Sequence, residues 1–208
     1  ATSPQFPEVT AEMAKLAETT FYNPASRHRG GLASAKSIEA SKRILADDLG
    51  CDPSNLIVTS CATESINTAF YQLGFEPKRQ TQVVYSKINH SAVLQAGKRA
   101  RGLGFETLEL APDPKTHGIS NLEEHLSEKT ALVSLLGVNN ETGAIADLKS
   151  QVQTIRTLAP EALIHADLVQ MWQKRPIDLT SLDLDFASFS GHKIKGPKSI
   201  GLLYVKNP

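Results

Sequence analysis

The chain has 208 residues, of which 40% are hydrophobic and 21% are charged, and this balance fits a globular protein with a substantial core. Its 22 Lys and Arg residues equal its 22 Asp and Glu residues, so no net basic field indicates binding to nucleic acid or to an anionic membrane. No apolar run approaches the roughly 20 residues that cross a bilayer.

The cysteines and the first residues of the chain bear on its cellular compartment. Cys51 and Cys61 are too few for a disulfide framework or a zinc site, so we expect no metal, and they fit a reducing compartment. The chain opens ATSPQFPEVT, with neither an initiating Met nor a signal-type apolar segment, and we expect a processed or trimmed start. These features predict a soluble cytoplasmic protein.

Hydrophobic periodicity predicts two helices, followed by strands that alternate with helices. In chain order the predicted elements are helices 8–19 and 32–49, strand 56–59, helix 64–73, strand 81–86, helix 91–103, strand 105–110, a short helix 122–127, strand 131–136, helix 148–158, and strands 162–166, 185–190 and 201–205. This order predicts an α/β fold, a mostly parallel sheet flanked by helices, in one domain over residues 1–208. Such sheets bind ligands at the carboxyl ends of their strands.

Polar motifs follow the first, second and fourth predicted strands. TSCATES (residues 59–65) opens a helix with small and hydroxyl residues, whose free N–H groups suit a phosphate, although a plain helix cap is the common alternative. His90 begins the next helix on the ligand side, where a lone histidine is more often a cap or a surface group. VNNETG supplies Asn139 and Asn140, which are ordinary turn residues and also side-chain donors.

The fifth and sixth predicted strands end in ionisable residues. In HADLVQ, Asp167 ends an apolar strand where a carboxylate would be partly buried, and a buried carboxylate needs a cationic or hydrogen-bonding partner. SFSGHK then supplies Ser190, His192 and Lys193. Pyridoxal 5′-phosphate (PLP) would use all of these groups, because its phosphate binds helix N-termini and hydroxyls, its ring nitrogen a carboxylate, and its aldehyde a lysine amine.

Together these motifs resemble the cysteine desulfurases of the class V aminotransferase group, which supply sulfur for iron–sulfur cluster assembly. The resemblance runs along the chain through ATSP, NPASRH (residues 23–28), TSCATES, SKINHSAVL, VNNETG, HADLVQ and SFSGHKIKGPKSIGLLYV. It implies the large domain of PLP-dependent fold type I, PLP as cofactor, L-cysteine as substrate, a homodimer, and a sulfur-acceptor or scaffold protein as partner. Residues 23–28 resemble a loop that borders the active-site entrance.

The resemblance also implies roles for individual residues. Lys193 matches the lysine that binds the aldehyde of the cofactor and moves protons at the substrate α-carbon, and Asp167 matches the carboxylate that keeps the pyridine nitrogen protonated. His90, the second catalytic candidate, matches the imidazole stacked on one face of the ring, and Val169 packs on the other. The remaining matched positions are donors to the phenolate oxygen, Asn140 and Gln170, and phosphate contacts, Ala62, Thr63, Ser190 and His192.

In that family L-cysteine becomes L-alanine, and its sulfur passes to an enzyme cysteine as a persulfide. Family members extend beyond Pro208, so we expect this chain to be an incomplete large domain that lacks the small domain and the loop with the persulfide cysteine. Cys61 stands where glycine is usual, and we interpret it as a small buried residue rather than the sulfur acceptor. Leu168 and Ser199 replace a usual alanine and glycine.

Three interpretations remain. The chain is the cofactor-binding part of a working desulfurase, a catalytically incomplete protein that keeps the fold or acts as a partner, or another class V enzyme such as an aminotransferase or a selenocysteine lyase. The persulfide-cysteine loop would discriminate between the first two. We expect the isolated chain to release little sulfide from cysteine.

Overall fold

A computed structural model describes residues 2–74 and 80–208, in which helices flank a central sheet. The strands are β1 (Leu56–Thr59), β2 (Gln82–Ser86), β3 (Glu106–Leu110), β4 (Thr130–Leu136), β5 (Leu163–Asp167), β6 (Phe186–Ser190) and β7 (Gly201–Val205). The helices are α1 (Pro7–Thr19), α2 (Arg29–Leu49), α3 (Ala62–Tyr71), α4 (Ser91–Gly102), α5 (Leu122–His125), α6 (Leu148–Leu158) and α7 (Leu179–Leu182). Within the described ranges, no helix has the length and apolar character of a membrane span.

The seven strands form one sheet in the order β1-β7-β6-β5-β4-β2-β3. Strands β2 to β6 pair in parallel, whereas β7 pairs antiparallel with both β6 and β1. The connection from β6 to β7 contains only a short 3-10 turn, Gly191–Lys193, and a parallel return would need a longer crossover. The predicted α/β fold with a mostly parallel sheet is therefore confirmed.

Both faces of the inner strands β2, β4, β5, β6 and β7 are covered, and nearly all of their residues are buried, whereas the edge strands β1 and β3 are partly exposed. Val133 of β4 packs in one cluster with Ile155 of α6. Leu132, its neighbour in sequence, points to the opposite face and packs with Phe70 of α3 and Val93 of α4. Successive side chains of a strand alternate between faces, so one strand contributes to both layers of the core.

The bounds of several elements differ from the predicted ones. Helix α3 begins at Ala62 rather than residue 64, because Cys61 is fully extended (φ −172°) and the chain can turn into a helix directly after it. Gly201 of β7 lies against this corner, where an added Cβ would sit 2.6 Å from the backbone carbon of Cys61. Strand β5 ends at Asp167 rather than residue 166, and the four-residue helix α7 was not predicted.

A buried histidine joins the three central strands. The Nδ1 atom of His165 on β5 lies 2.8 Å from the Ser134 hydroxyl of β4, and its Nε2 atom lies 2.9 Å from the Ser188 hydroxyl of β6. Burial lowers the pKa of His165 from 6.5 to about 3, so the imidazole is neutral in the folded protein. The two hydroxyls satisfy both ring nitrogens in an apolar layer, where an unpaired polar atom is costly.

The His165 environment predicts a loss of stability in acid. Between pH 6.5 and about 3 the unfolded chain binds a proton at this histidine and the folded protein does not, so the free energy of unfolding falls as pH falls. We expect a contribution of about 1.4 kcal/mol per pH unit inside this window. Urea unfolding of the wild type and of His165→Asn across the window measures it.

In that experiment His165→Asn should show a shallower pH dependence than the wild type, whatever its stability at neutral pH. His117→Asn controls for the loss of a histidine at an exposed turn, where the left-handed backbone (φ 57°) suits asparagine. Equal acid slopes for wild type and His165→Asn would contradict the neutral buried imidazole.

Candidate active site

A cavity of about 160 Å³ lies at the carboxyl ends of the central strands, beside the N-terminus of α3. Every residue that the sequence analysis assigned to the cofactor or to catalysis lines it. These residues are Ala62, Thr63, His90, Asn140, Asp167, Val169, Gln170, Ser190, His192 and Lys193. The parallel strands explain the convergence, because their carboxyl ends meet at one edge of the sheet.

Asp167 is the most constrained polar group of the cavity. It is the last residue of β5, its side chain is 4% exposed, and its Oδ1 accepts a hydrogen bond from the Val169 N–H at 3.0 Å. Burial raises the pKa of Asp167, whereas the Val169 hydrogen bond and the nearby basic groups of His90 and Lys193 act in the opposite direction. A carboxylate in this setting suits a cationic ligand group such as a protonated pyridine nitrogen.

Lys193 ends the short 3-10 turn that follows β6, and its side chain is half-buried at the cavity. The loop after it turns back tightly, with the Gly196 N–H donating to the Gly191 carbonyl at 2.9 Å. An added Cβ on Gly196 would lie 2.9 Å from the same oxygen, so the turn requires glycine there. Ser199 completes the loop in the left-handed region (φ 58°), which glycine adopts at lower cost.

The amine of Lys193 has a partner that the sequence analysis missed. Its Nζ donates to the hydroxyl of Thr2 at 3.3 Å, a contact between residues 191 positions apart. The segment around Thr2 runs along the loop between β6 and β7. The Lys195 N–H donates to the Ser3 hydroxyl at 3.1 Å, and the Phe6 N–H donates to the Lys195 carbonyl at 3.0 Å. The ATSP motif was noted in the sequence, but no periodicity relates it to Lys193.

Other residues of the cavity carry groups that suit an anion. Ala62 and Thr63 begin α3, and no side-chain hydrogen bond caps this helix, so the N–H groups of its first turn, which also face the Cys61 thiol, can donate to a ligand. Ser190 and His192 face the same cavity, with the Ser190 hydroxyl 2.9 Å from Nδ1 of His192. Burial, together with the positive charges of Lys193 and Lys198, lowers the pKa of His192.

Cys61 lines the same cavity and is half-buried, whereas the sequence analysis interpreted it as a buried packing residue. Burial raises the pKa of its thiol, but N–H groups of the first turn of α3 and the Ser60 hydroxyl outweigh burial, so the pKa is lowered overall. Cys51 is different, because burial and the nearby Asp52 raise its pKa to about 11. The position of Cys61 at a helix N-terminus is the signal that could have indicated a reactive thiol.

Hydrogen bonds orient two further side chains at the cavity. His90 is the N-cap of α4, and its Nδ1 accepts the Ala92 N–H at 3.2 Å, which leaves Nε2 on the other edge of the ring. Lys174 donates to Oε1 of Gln170 at 3.0 Å, so the amide nitrogen of Gln170 is the group available as a donor to a ligand.

Residues 23–28 are placed differently from the cofactor candidates. Pro24 of this loop lines a second, largely apolar cavity of about 680 Å³, to which Gly191 and Ile194 also contribute.

No group of three or more His, Cys, Asp or Glu side chains that could bind a metal occurs among residues 2–74 and 80–208.

Known proteins are similar to this chain in sequence and in fold. Cysteine desulfurase IscS of Cronobacter sakazakii and IscS of Escherichia coli are each 39% identical over 213 residues, which cover 99% of this chain and 52% of those proteins. Among solved structures, a NifS-like protein matches with a TM-score of 0.92 and 34% identity, over 99% of this chain and 57% of that one. DndA from Streptomyces lividans matches with a TM-score of 0.86 and 34% identity, over 100% and 59%.

The chain therefore spans about half the length of the curated relatives it matches. The family described as Aminotransferase class-V matches residues 1–208. With the sheet that its structural neighbours share, this match confirms the resemblance drawn from the sequence motifs: the chain belongs to the class-V aminotransferase family.

Proposed function

We propose that this chain supplies the cofactor-binding part of a PLP-dependent cysteine desulfurase, which converts L-cysteine to L-alanine and passes the sulfur to an enzyme cysteine as a persulfide. The observation that carries the proposal is one cavity lined by a lysine amine, a buried carboxylate and a helix N-terminus, Lys193, Asp167 and α3. Relatives named cysteine desulfurase IscS support the reaction, and a neighbouring structure, SspA, is described as a complex with cysteine. The sulfur would serve iron–sulfur clusters or another sulfur-transfer pathway.

The residues of the cavity fit PLP group by group. Asp167 is a buried carboxylate that would be compensated by a protonated ring nitrogen, and the N–H groups at the start of α3 would bind the phosphate. Gln170 and Asn140 offer amide donors for the phenolate oxygen. When bound, PLP supplies an electron sink for the charge released at the substrate α-carbon.

The side chains of the chain then have separate tasks. Asp167 holds a proton on the ring nitrogen, since losing that proton would leave a buried carboxylate without a cation. Lys193 would hold the cofactor through its amine, and the same amine would move a proton at the substrate α-carbon. His90 and Val169 would restrict the two faces of the ring, and Ser190 and His192, which line the same cavity, would bind the phosphate. His90 and Lys193 are the proposed catalytic residues.

Removing the amine of Lys193 should abolish covalent binding of the cofactor. We expect the wild type with PLP to develop an absorbance band near the edge of the visible range and Lys193→Ala to lack it. Lys195→Ala is the matched control, because Lys195 is an exposed lysine of the same loop whose Nζ lies 4.6 Å from the Phe6 ring centroid. A wild type that stays colourless in excess PLP would refute cofactor binding.

Removing the charge of Asp167 should have opposite effects on stability and on cofactor binding. Asp167→Asn removes the cost of burying a carboxylate, so we expect the free energy of unfolding of the cofactor-free protein to rise by on the order of 1–3 kcal/mol. The same variant loses the counter-charge of the ring nitrogen, so PLP should raise its unfolding temperature less than that of the wild type. Thermal unfolding with and without PLP measures both effects.

The control for Asp167→Asn is Asp147→Asn at the N-cap of α6, where asparagine caps as well as aspartate and both effects should be small. If Asp167→Asn destabilises the cofactor-free protein and leaves the response to PLP unchanged, the role assigned to this carboxylate is wrong.

The two cysteines should differ in reactivity. The pKa of Cys61 is lowered and that of Cys51 is raised to about 11, so we expect iodoacetamide to alkylate Cys61 about tenfold faster or more, after allowing for the weaker nucleophilicity of a less basic thiolate. PLP should protect Cys61, which lies at the phosphate end of the cavity, and leave Cys51 unaffected. Peptide mapping after timed alkylation measures both rates, and equal protection of both cysteines would contradict this placement of the phosphate.

A further inference from the structure

Asn139 links two loops that each carry a residue of the cavity. Its side chain is 8% exposed, and its Nδ2 donates to the carbonyl of Ile88 at 3.0 Å. Ile88 lies in the loop between β2 and α4, two residues before His90, whereas Asn139 lies after β4, directly before Asn140. One hydrogen bond therefore joins the backbone beside His90 to the backbone beside Asn140.

The same side chain also shapes its own loop. Its Oδ1 accepts hydrogen bonds from the Glu141 N–H at 3.0 Å, the Thr142 N–H at 2.9 Å and the Thr142 hydroxyl at 3.1 Å. The turn is closed by the Gly143 N–H, which donates to the Asn139 carbonyl at 3.0 Å. Because both ends of the amide are engaged, the side chain has one orientation, and the donor face is directed at Ile88.

A neighbouring asparagine fixes the other loop to the sheet. Asn89 is buried, and its Nδ2 donates to the Ser134 carbonyl of β4 at 3.2 Å. The loop before His90 is thus attached to β4 by Asn89 and to the loop after β4 by Asn139. Neither amide lines the 160 Å³ cavity, so both act through the residues next to them.

We infer that Asn139 is a positioning residue that holds His90 and Asn140 at a fixed separation across the cavity. The inference deepens the proposed function and rests on it for the ligand, since His90 would stack on the PLP ring and Asn140 would face its phenolate oxygen. Loss of the Nδ2 donor leaves the loop of Asn139 folded by its Oδ1 contacts and detaches it from Ile88. His90 and Asn140 would then no longer hold a PLP ring at a fixed separation.

Asn139→Asp isolates this link. The substitution keeps an acceptor for Glu141 and Thr142, removes the donor to Ile88 and places a carboxylate oxygen against a carbonyl oxygen. Asn55→Asp is the matched control, because Asn55 Nδ2 also donates to backbone carbonyls, those of Val205 and Lys206 at 2.9 Å each, and Asn55 is not among the residues that line the cavity.

The first measurement is amide hydrogen exchange of the cofactor-free protein, which does not depend on the ligand. We expect Asn139→Asp to accelerate exchange in residues 87–90 and to change it little in residues 140–144, whose Oδ1 contacts the variant retains, and Asn55→Asp to accelerate neither. Faster exchange confined to residues 140–144 would overturn the inference, because Asn139 would then organise only its own turn.

The second measurement uses PLP as the probe. Asn139→Asp should weaken PLP binding about tenfold, the factor that one hydrogen bond of ordinary strength represents, and should reduce the circular dichroism of the bound cofactor per mole. Asn55→Asp should retain both values. A wild type that fails to bind PLP refutes the proposed function and leaves the exchange result standing, whereas wild-type-like binding and dichroism in Asn139→Asp refutes the positioning role.

Discussion

The central constraint on this molecule is a carboxylate at the end of a central strand. Asp167 is 4% exposed, and within the described part of the chain it forms no salt bridge with Lys, Arg or His. One backbone N–H at 3.0 Å offsets part of the cost of burial. The rest is offset by protonation of the carboxyl group, whose pKa burial raises, or by a positive charge inside the cavity, which the proposed cofactor would supply.

The sheet determines which groups meet that carboxylate. Strand β5 lies between β4 and β6, and the imidazole of His165 bridges the serines of both neighbours beneath the cavity. The carboxyl ends of these strands therefore have a fixed spacing. Lys193 follows β6 and Asn140 follows β4, the two strands that flank β5. Strand β7 returns antiparallel beside β6, and its first residue, Gly201, packs against the start of α3. The residues proposed to attach the cofactor, to protonate its ring and to bind its phosphate thus all follow from one sheet.

Sequence alone predicted the fold because each strand ends where its motif begins. The apolar run before HADLVQ and the one before SFSGHK indicated buried strands, and parallel packing then brought Asp167 and Lys193 together. Contacts between distant segments could not be predicted in this way. The bond from Lys193 to Thr2 spans 191 positions, and the bond from Asn139 to Ile88 depends on the conformations of two loops. The lowered pKa of Cys61 depends on where α3 begins, which was predicted two residues too late.

The most direct test of this account is chemical identification of the lysine that binds the cofactor. Sodium borohydride reduction of the PLP-loaded protein fixes the cofactor to the amine it occupies, and peptide mass mapping then locates the label. The account predicts a phosphopyridoxyl group on Lys193, the lysine that lines the cavity with Asp167. Label on Lys195, Lys198 or another lysine, or a protein that carries none, would contradict it.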